Sequence, residues 1–208
     1  MQTLDVLNAR FAAPLAATYA LVPGEGDARA ALMLIGEAPG AQEALQGRPF
    51  VGAAGKHLTA FLSGVGLHRE ELYITNAVKF RPTRPGKRGD VNRTPTKDEV
   101  ALFRPWLLAE IETVRPRVVA TLGNTALFAV TGAGLTIGAV HGRPLEAAGV
   151  GAEGVLFPLY HPASVIYRRE LAAVYAADLR ALRGFLAGLG EGGLRWGSAP
   201  DPAQGLRP

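Results

Sequence analysis

The sequence predicts a single α/β domain, a three-layer αβα sandwich around a central, mostly parallel four-stranded sheet. Two observations predict it: short continuous apolar runs of strand length, and helical patterns alternating with them. The four runs are Ala31–Ile35, Leu72–Val78, Val118–Leu122 and Val155–Tyr160. They lack the polar alternation of a half-exposed sheet, so both faces of each strand are expected to be buried.

The elements follow in order. Leu4 to Ala20 spaces its apolar residues helically and stops before Pro23-Gly24. The first strand ends abruptly at Gly36-Glu37-Ala38-Pro39-Gly40, and Lys56 to Leu62 reads as an amphipathic helix. The second strand opens into a basic loop broken by prolines. Thr96-Lys97-Asp98-Glu99 is a capping box, starting a helix that runs to about Val114. A short helix from Asn124 and a turn-rich stretch containing His141 lead to the last strand, which ends at His161-Pro162. The helix Glu170–Leu186 closes the fold. A chain of 208 residues suits one domain with a full core, here residues 1–190, with 191–208 as a flexible tail rich in Gly and Pro.

Composition narrows the function classes. Hydrophobic residues make up 48% and charged ones 19%, which excludes a disordered chain. No apolar run approaches the ~20 residues of a membrane span, and no basic leader precedes one, so a cytoplasmic protein with no membrane partner is expected. Cysteine is absent, which excludes disulfides, thiol catalysis and thiolate-built metal or cluster sites. The net charge of +4 is modest. Its distribution says more: between Lys79 and Arg93 stand six basic residues, Lys79, Arg81, Arg84, Lys87, Arg88 and Arg93, against one acid, Asp90.

In parallel sheets, ligands bind in the crevice outside the carboxyl ends of the strands. Glu37, Asn76 and His161 each fall at such an end, so three strands deliver polar groups to one rim. Singly these residues are ambiguous. Glu37 is equally a solvated loop carboxylate, Asn76 a turn residue, His161 a satisfied histidine before a turn, and Phe50 a core aromatic. His57, His68 and His141 have no nameable partner and read as structural or exposed.

Their ordered conjunction is specific. Gly36-Glu37-Ala38-Pro39-Gly40 followed by Gly47-Arg48-Pro49-Phe50-Val51-Gly52-Ala53-Ala54-Gly55 closely resembles the first motif of family-4 uracil-DNA glycosylases. Tyr73-Ile74-Thr75-Asn76-Ala77-Val78-Lys79, then Arg81-Pro82, then Pro105-Trp106-Leu107, resemble the family's middle segments. Tyr160-His161-Pro162-Ala163-Ser164 resembles its closing motif, and the order agrees from about Arg10 to Phe185.

The resemblance implies an enzyme that flips uracil out of DNA and hydrolyses its N-glycosidic bond, leaving an abasic site. Phe50 would stack on the extruded base and Asn76 would read its Watson–Crick edge. Glu37 and the backbone beside Ala38 would position the attacking water, and His161 would hydrogen-bond the uracil O2 as charge develops there. The implied partner is uracil-containing DNA, bound by a monomer associated with the bacterial nucleoid. The basic loop (Lys79, Arg81, Arg84, Lys87, Arg88, Arg93) would lie along phosphates, and Ser164, Arg168 and Arg169 would press towards the duplex.

The family carries four cysteines holding a 4Fe–4S cluster, and this chain has none. Alignment of the motifs places those ligands at Arg10, Ala13, Phe80 and Phe103, so the cluster is expected to be absent, no cofactor is needed, and Phe80 and Phe103 are expected to share an apolar contact in its place. Two alternatives stay open within DNA repair: a glycosylase for another deaminated base such as hypoxanthine, and a damaged-DNA-binding protein that no longer cuts. A nucleotide-binding metabolic enzyme fits poorly, because no phosphate-cradling glycine fingerprint follows any strand.

Overall fold

The computed structural model describes residues 3–150 and 154–189. In chain order the elements are α1 (Leu4–Ala12), β1 (Glu25–Gly26), β2 (Leu32–Gly36), α2 (Ala41–Gln46), α3 (Ala53–Gly64), β3 (Tyr73–Asn76), β4 (Thr83–Arg84), β5 (Val91–Asn92), α4 (Lys97–Val114), β6 (Val118–Leu122), α5 (Asn124–Thr131), α6 (Ile137–Val140), β7 (Val155–Leu159), α7 (Pro162–Tyr167) and α8 (Leu171–Gly188). The expected tail, 191–208, lies outside the described residues. No helix among those described is long and apolar enough to cross a membrane.

The main sheet has the order β1-β3-β2-β6-β7. β3, β2, β6 and β7 run parallel, as the four apolar runs predict, and each central strand is buried on both faces. Alternate side chains supply two cores. Met33, Ile35, Tyr73, Val119 and Leu156 face α1, α4 and α5, whereas Leu32, Leu34, Ile74, Val118, Ala120, Phe157 and Leu159 face α3, α7 and α8. The chain leaves β2 for β3 on one side and later returns to β6 on the other. The order therefore reverses at β2, and a crevice opens at the carboxyl ends there.

Several details differ from the sequence reading. The sheet has five strands, because Glu25–Gly26 pairs antiparallel with β3; two polar or glycine residues carry no apolar pattern to betray a strand. α1 ends at Ala12 instead of Ala20, since Pro14 lacks an amide proton and disfavours helix before it. β3 stops at Asn76, after which the amides of Ala77 and Val78 turn to the carbonyls of Gly36 (2.8 Å) and Glu37 (3.1 Å). The basic loop contains a hairpin, with Thr83 opposite Asn92 and Arg84 opposite Val91.

Phe80 and Phe103 meet as expected, with ring centroids 5.6 Å apart. Tyr19 joins them, 4.3 Å from Phe80 and 5.7 Å from Phe103, and Trp106 lies 6.4 Å from Phe103. The contact ties the segment after α1 and the start of the basic loop to α4. Phe103 is fully buried and Phe80 only partly so. Truncating Phe103 to Ala is therefore expected to cost about 3–5 kcal/mol, and Phe80 to Ala less. Chemical denaturation checks this, and an unchanged midpoint for Phe103→Ala would contradict it.

Candidate active site

Six of the sequence-predicted residues converge. Glu37, Phe50, Asn76 and His161 line one cleft of about 340 Å³ at the carboxyl ends of the strands. Beside them stand the Ala38 loop, Arg93 and the half-exposed Ile166 of α7.

Gly36 makes the convergence possible. A Cβ there would fall 2.4 Å from both Asn76 Oδ1 and Phe50 Cζ, so the amide and the ring close over a residue that has no side chain. Phe50 itself is held in the left-handed backbone region, at φ 54°, where a bulky residue is strained. Two devices support that strain. Arg69 donates to the carbonyls of Phe50 (3.0 Å) and Pro49 (2.5 Å) while pairing with Glu25 at 2.7 Å. Burial alone raises the pKa of Glu25, but hydrogen bonds from Arg48 and Arg69 outweigh it and hold the group ionised below its usual range. On the other side, Glu43 accepts from Gly52 N (2.7 Å) and Gly40 N (3.1 Å), joining the Glu37 loop to the Phe50 loop at the starts of α2 and α3.

His161 caps α7, its Nδ1 accepting from Ala163 N at 3.1 Å. Burial lowers its pKa to about 4. At neutral pH the ring is uncharged, and with Nδ1 engaged as acceptor the remaining proton is assigned to Nε2, a hydrogen-bond donor. Gly123, at φ 90°, lets the turn after β6 approach the ring; a Cβ there would lie 3.2 Å from His161 Cβ.

Behind Asn76 lies a fully buried ion pair. Lys79 Nζ donates to Glu110 Oε2 and Thr75 Oγ1, both at 2.5 Å, and to Asn76 O at 2.8 Å. Tyr73 donates to the other Glu110 oxygen at 3.0 Å. Desolvation lowers the Lys79 pKa and Glu110 opposes that shift. This corrects the expectation that Lys79 touches phosphate: its side chain is wholly buried and braces the strand end that carries Asn76.

The other basic residues sort by partner. Arg81 donates to Asn92 Oδ1 (2.6 Å) and Asp90 O, and Arg93 forms a fork with Glu99 at 2.7 and 2.6 Å. The Arg93 hydrogen bonds hold Glu99 down at about 2. Arg84, Lys87 and Arg88 are exposed on the hairpin, and Arg168 and Arg169 are exposed after α7; none forms an ion pair among the described residues. Ser164 lies half-buried in α7, one turn from His161. His141, for which the sequence names no partner, bonds Asp178 through Nδ1 at 2.8 Å, a pairing across 37 positions that no local pattern announces.

The positions where the resemblance places cluster ligands do not fit an iron–sulfur group. They offer a guanidinium lying 5.9 Å from the Phe11 ring (Arg10), a methyl (Ala13) and two phenyl rings in mutual contact, with no thiolate. Among the described residues, no three His, Cys, Asp or Glu side chains group to hold a metal.

Two outcomes are expected. Lys79→Met leaves Glu110 buried without its cation and should cost about 3–5 kcal/mol, measured by denaturation; a loss well under 1 kcal/mol would contradict the pairing. For His161, the unfolded ring binds its proton near pH 6.5 while the folded ring takes it only near 4, so stability is full above 6.5 and falls towards 4. His161→Gln should flatten that part of the acid limb in melting temperatures taken across the range, and an unchanged limb would contradict it.

With the geometry in place, comparison with known proteins is direct. The family model of the uracil DNA glycosylase superfamily matches residues 23–183. The type-4 uracil-DNA glycosylase of Archaeoglobus fulgidus is 40% identical over 167 residues, covering 77% of this chain and 79% of that protein. The type-4 enzyme of Saccharolobus solfataricus is 40% identical, covering 78% and 74%, and that of Thermotoga maritima 39%, covering 80% and 83%. The chain belongs to the uracil DNA glycosylase superfamily, and it resembles the type-4 members while carrying no cysteine.

Proposed function

We propose that this chain removes uracil from DNA by hydrolysing the N-glycosidic bond, and that it does so with its own side chains and no cofactor. The observation that carries the reading is the convergence of Glu37, Phe50, Asn76 and His161 on one cleft. Uracil enters after extrusion from the duplex and lies on the Phe50 ring. The Asn76 amide offers an acceptor to uracil N3–H and a donor to O4. Cytosine presents the opposite pattern, an acceptor and an amino group, and leaves both amide atoms mispaired.

When the C1′–N1 bond breaks, its electron pair passes to the base, whose charge spreads onto O2 and O4. The neutral His161 ring donates to O2 through Nε2; an imidazolium is not required. The sugar carbon, left electron-poor, takes a bond from a water oxygen, and the water proton goes to Glu37. The Ala38 backbone helps to hold that water. A single preorganised donor is worth roughly 10²–10³ in rate, and a positioned base about 10²–10⁴.

DNA is held by the hairpin cations Arg84, Lys87 and Arg88, with Arg81 and Arg93 shaping the hairpin and reaching phosphate at its base. Arg168 and Arg169 extend the charge beyond α7, where Ser164 and the exposed Ile166 face the duplex. The protein acts as a monomer on nucleoid DNA in the cytoplasm. Phe80, Phe103 and Tyr19 take over the loop-pinning role that the relatives' cluster would otherwise have.

The test is release of uracil from oligonucleotides bearing one uracil, opposite guanine, opposite adenine or unpaired, read by alkaline cleavage at abasic sites. Cleavage undiminished by chelator and absent from cytosine controls is expected. His161→Ala should slow single turnover by about 10²-fold. No cleavage of any uracil substrate, or activity abolished by chelator and restored by a divalent ion, would overturn the reading.

A further inference from the structure

The Glu37 carboxylate has one side-chain partner among the described residues: Thr125, whose Oγ1 donates to Glu37 Oε2 at 2.6 Å. Glu37 follows β2 and Thr125 follows β6, parallel neighbours registered Ile35 opposite Thr121. The bond therefore spans the point where strand order reverses, across the mouth of the crevice. The two ends differ in how firmly they are held. Thr125 sits in the first turn of α5, a platform fixed by Gly123 N to Leu159 O (2.8 Å) and by Asn124 Oδ1, which accepts from Ile137 N at 2.7 Å. Glu37 sits in a loop, and the terminal torsion of a glutamate is soft.

We infer that Thr125 is a positioning residue for the glycosylase reaction. Its hydroxyl engages Oε2, fixes the carboxylate plane and leaves Oε1 as the oxygen that receives the water proton. The inference rests on Glu37 being the group that orients water. A hydroxyl held at 2.6 Å from one carboxyl oxygen fixes that oxygen's direction, so one hydroxyl suffices to select one rotamer. The same turn carries Gly123, against which His161 packs, so the β6–α5 junction sets the water-side group and the base-side donor together.

The experiment compares wild type with Thr125→Val, Thr125→Ser, Glu37→Ala and the Thr125→Val, Glu37→Ala pair. Single-turnover excision is measured on single-uracil duplex, and affinity on the same duplex bearing an uncleavable fluorinated deoxyuridine. Thr125→Val keeps the side-chain shape without the hydroxyl. It should slow excision by about 10–10²-fold, the scale of a misplaced catalytic group, while affinity stays within about twofold. Thr125→Ser, which keeps the hydroxyl, should return the rate to within about threefold of wild type. In the Glu37→Ala background Thr125→Val should change nothing further, because both act through one group. Excision by Thr125→Val at the wild-type rate, or an equal slowing with and without Glu37, overturns the inference while the role of Glu37 stands. Glu37→Ala cutting as fast as wild type overturns the role of Glu37 itself, a separately visible result.

Discussion

The site depends on a close approach at the end of the central strand. Gly36 terminates β2, and the Asn76 amide and the Phe50 ring meet above it at a distance that excludes even a methyl group. The backbone repeats the constraint, since the amides of Ala77 and Val78 bond the carbonyls of Gly36 and Glu37. The segment carrying Asn76 is thereby sewn to the segment carrying Glu37. The groups proposed to read the base and to activate water therefore sit on adjacent strand ends that cannot drift apart without breaking these bonds.

Around that contact the protein uses charge to stiffen the structure. Lys79 and Glu110, wholly buried, brace the Asn76 carbonyl. Arg69 and Glu43 hold the strained Phe50 loop from opposite sides. Burial keeps His161 neutral, which suits the donor role proposed for it towards a base that becomes an anion; a cation there would have to be desolvated before the reaction began. Where the resemblance to the type-4 members places cluster ligands, Phe80 and Phe103 pack on each other and on Tyr19.

Much of this was legible in sequence because it is local or periodic. Doubly buried strands read as continuous apolar runs, the Thr96–Glu99 box announces α4, and strand-end polar residues mark a rim before any contact is known. Burial of Lys79 was not legible. Its partner Glu110 lies 31 positions away on α4, and a lysine in a basic run gives no sign of facing inward. Thr125, Arg69, Glu43 and Asp178 escaped for the same reason: each makes a hydrogen bond to a residue nine or more positions away, which leaves no periodic trace. β1 escaped because a two-residue edge strand has no pattern at all.

Gly36→Ala would fill the empty space on which the arrangement of Asn76 and Phe50 depends. The backbone at Gly36 lies outside the left-handed region that favours glycine, and the atoms a methyl would displace are the far ends of Asn76 and Phe50. The fold should therefore survive, at a cost of about 1–3 kcal/mol, as for other overpacked sites. Single-turnover uracil excision should fall by about 10²-fold or more, the scale of an ångström misplacement at a reacting site. Excision by a folded Gly36→Ala protein within about twofold of wild type, well short of that scale, would show that the site does not depend on this space.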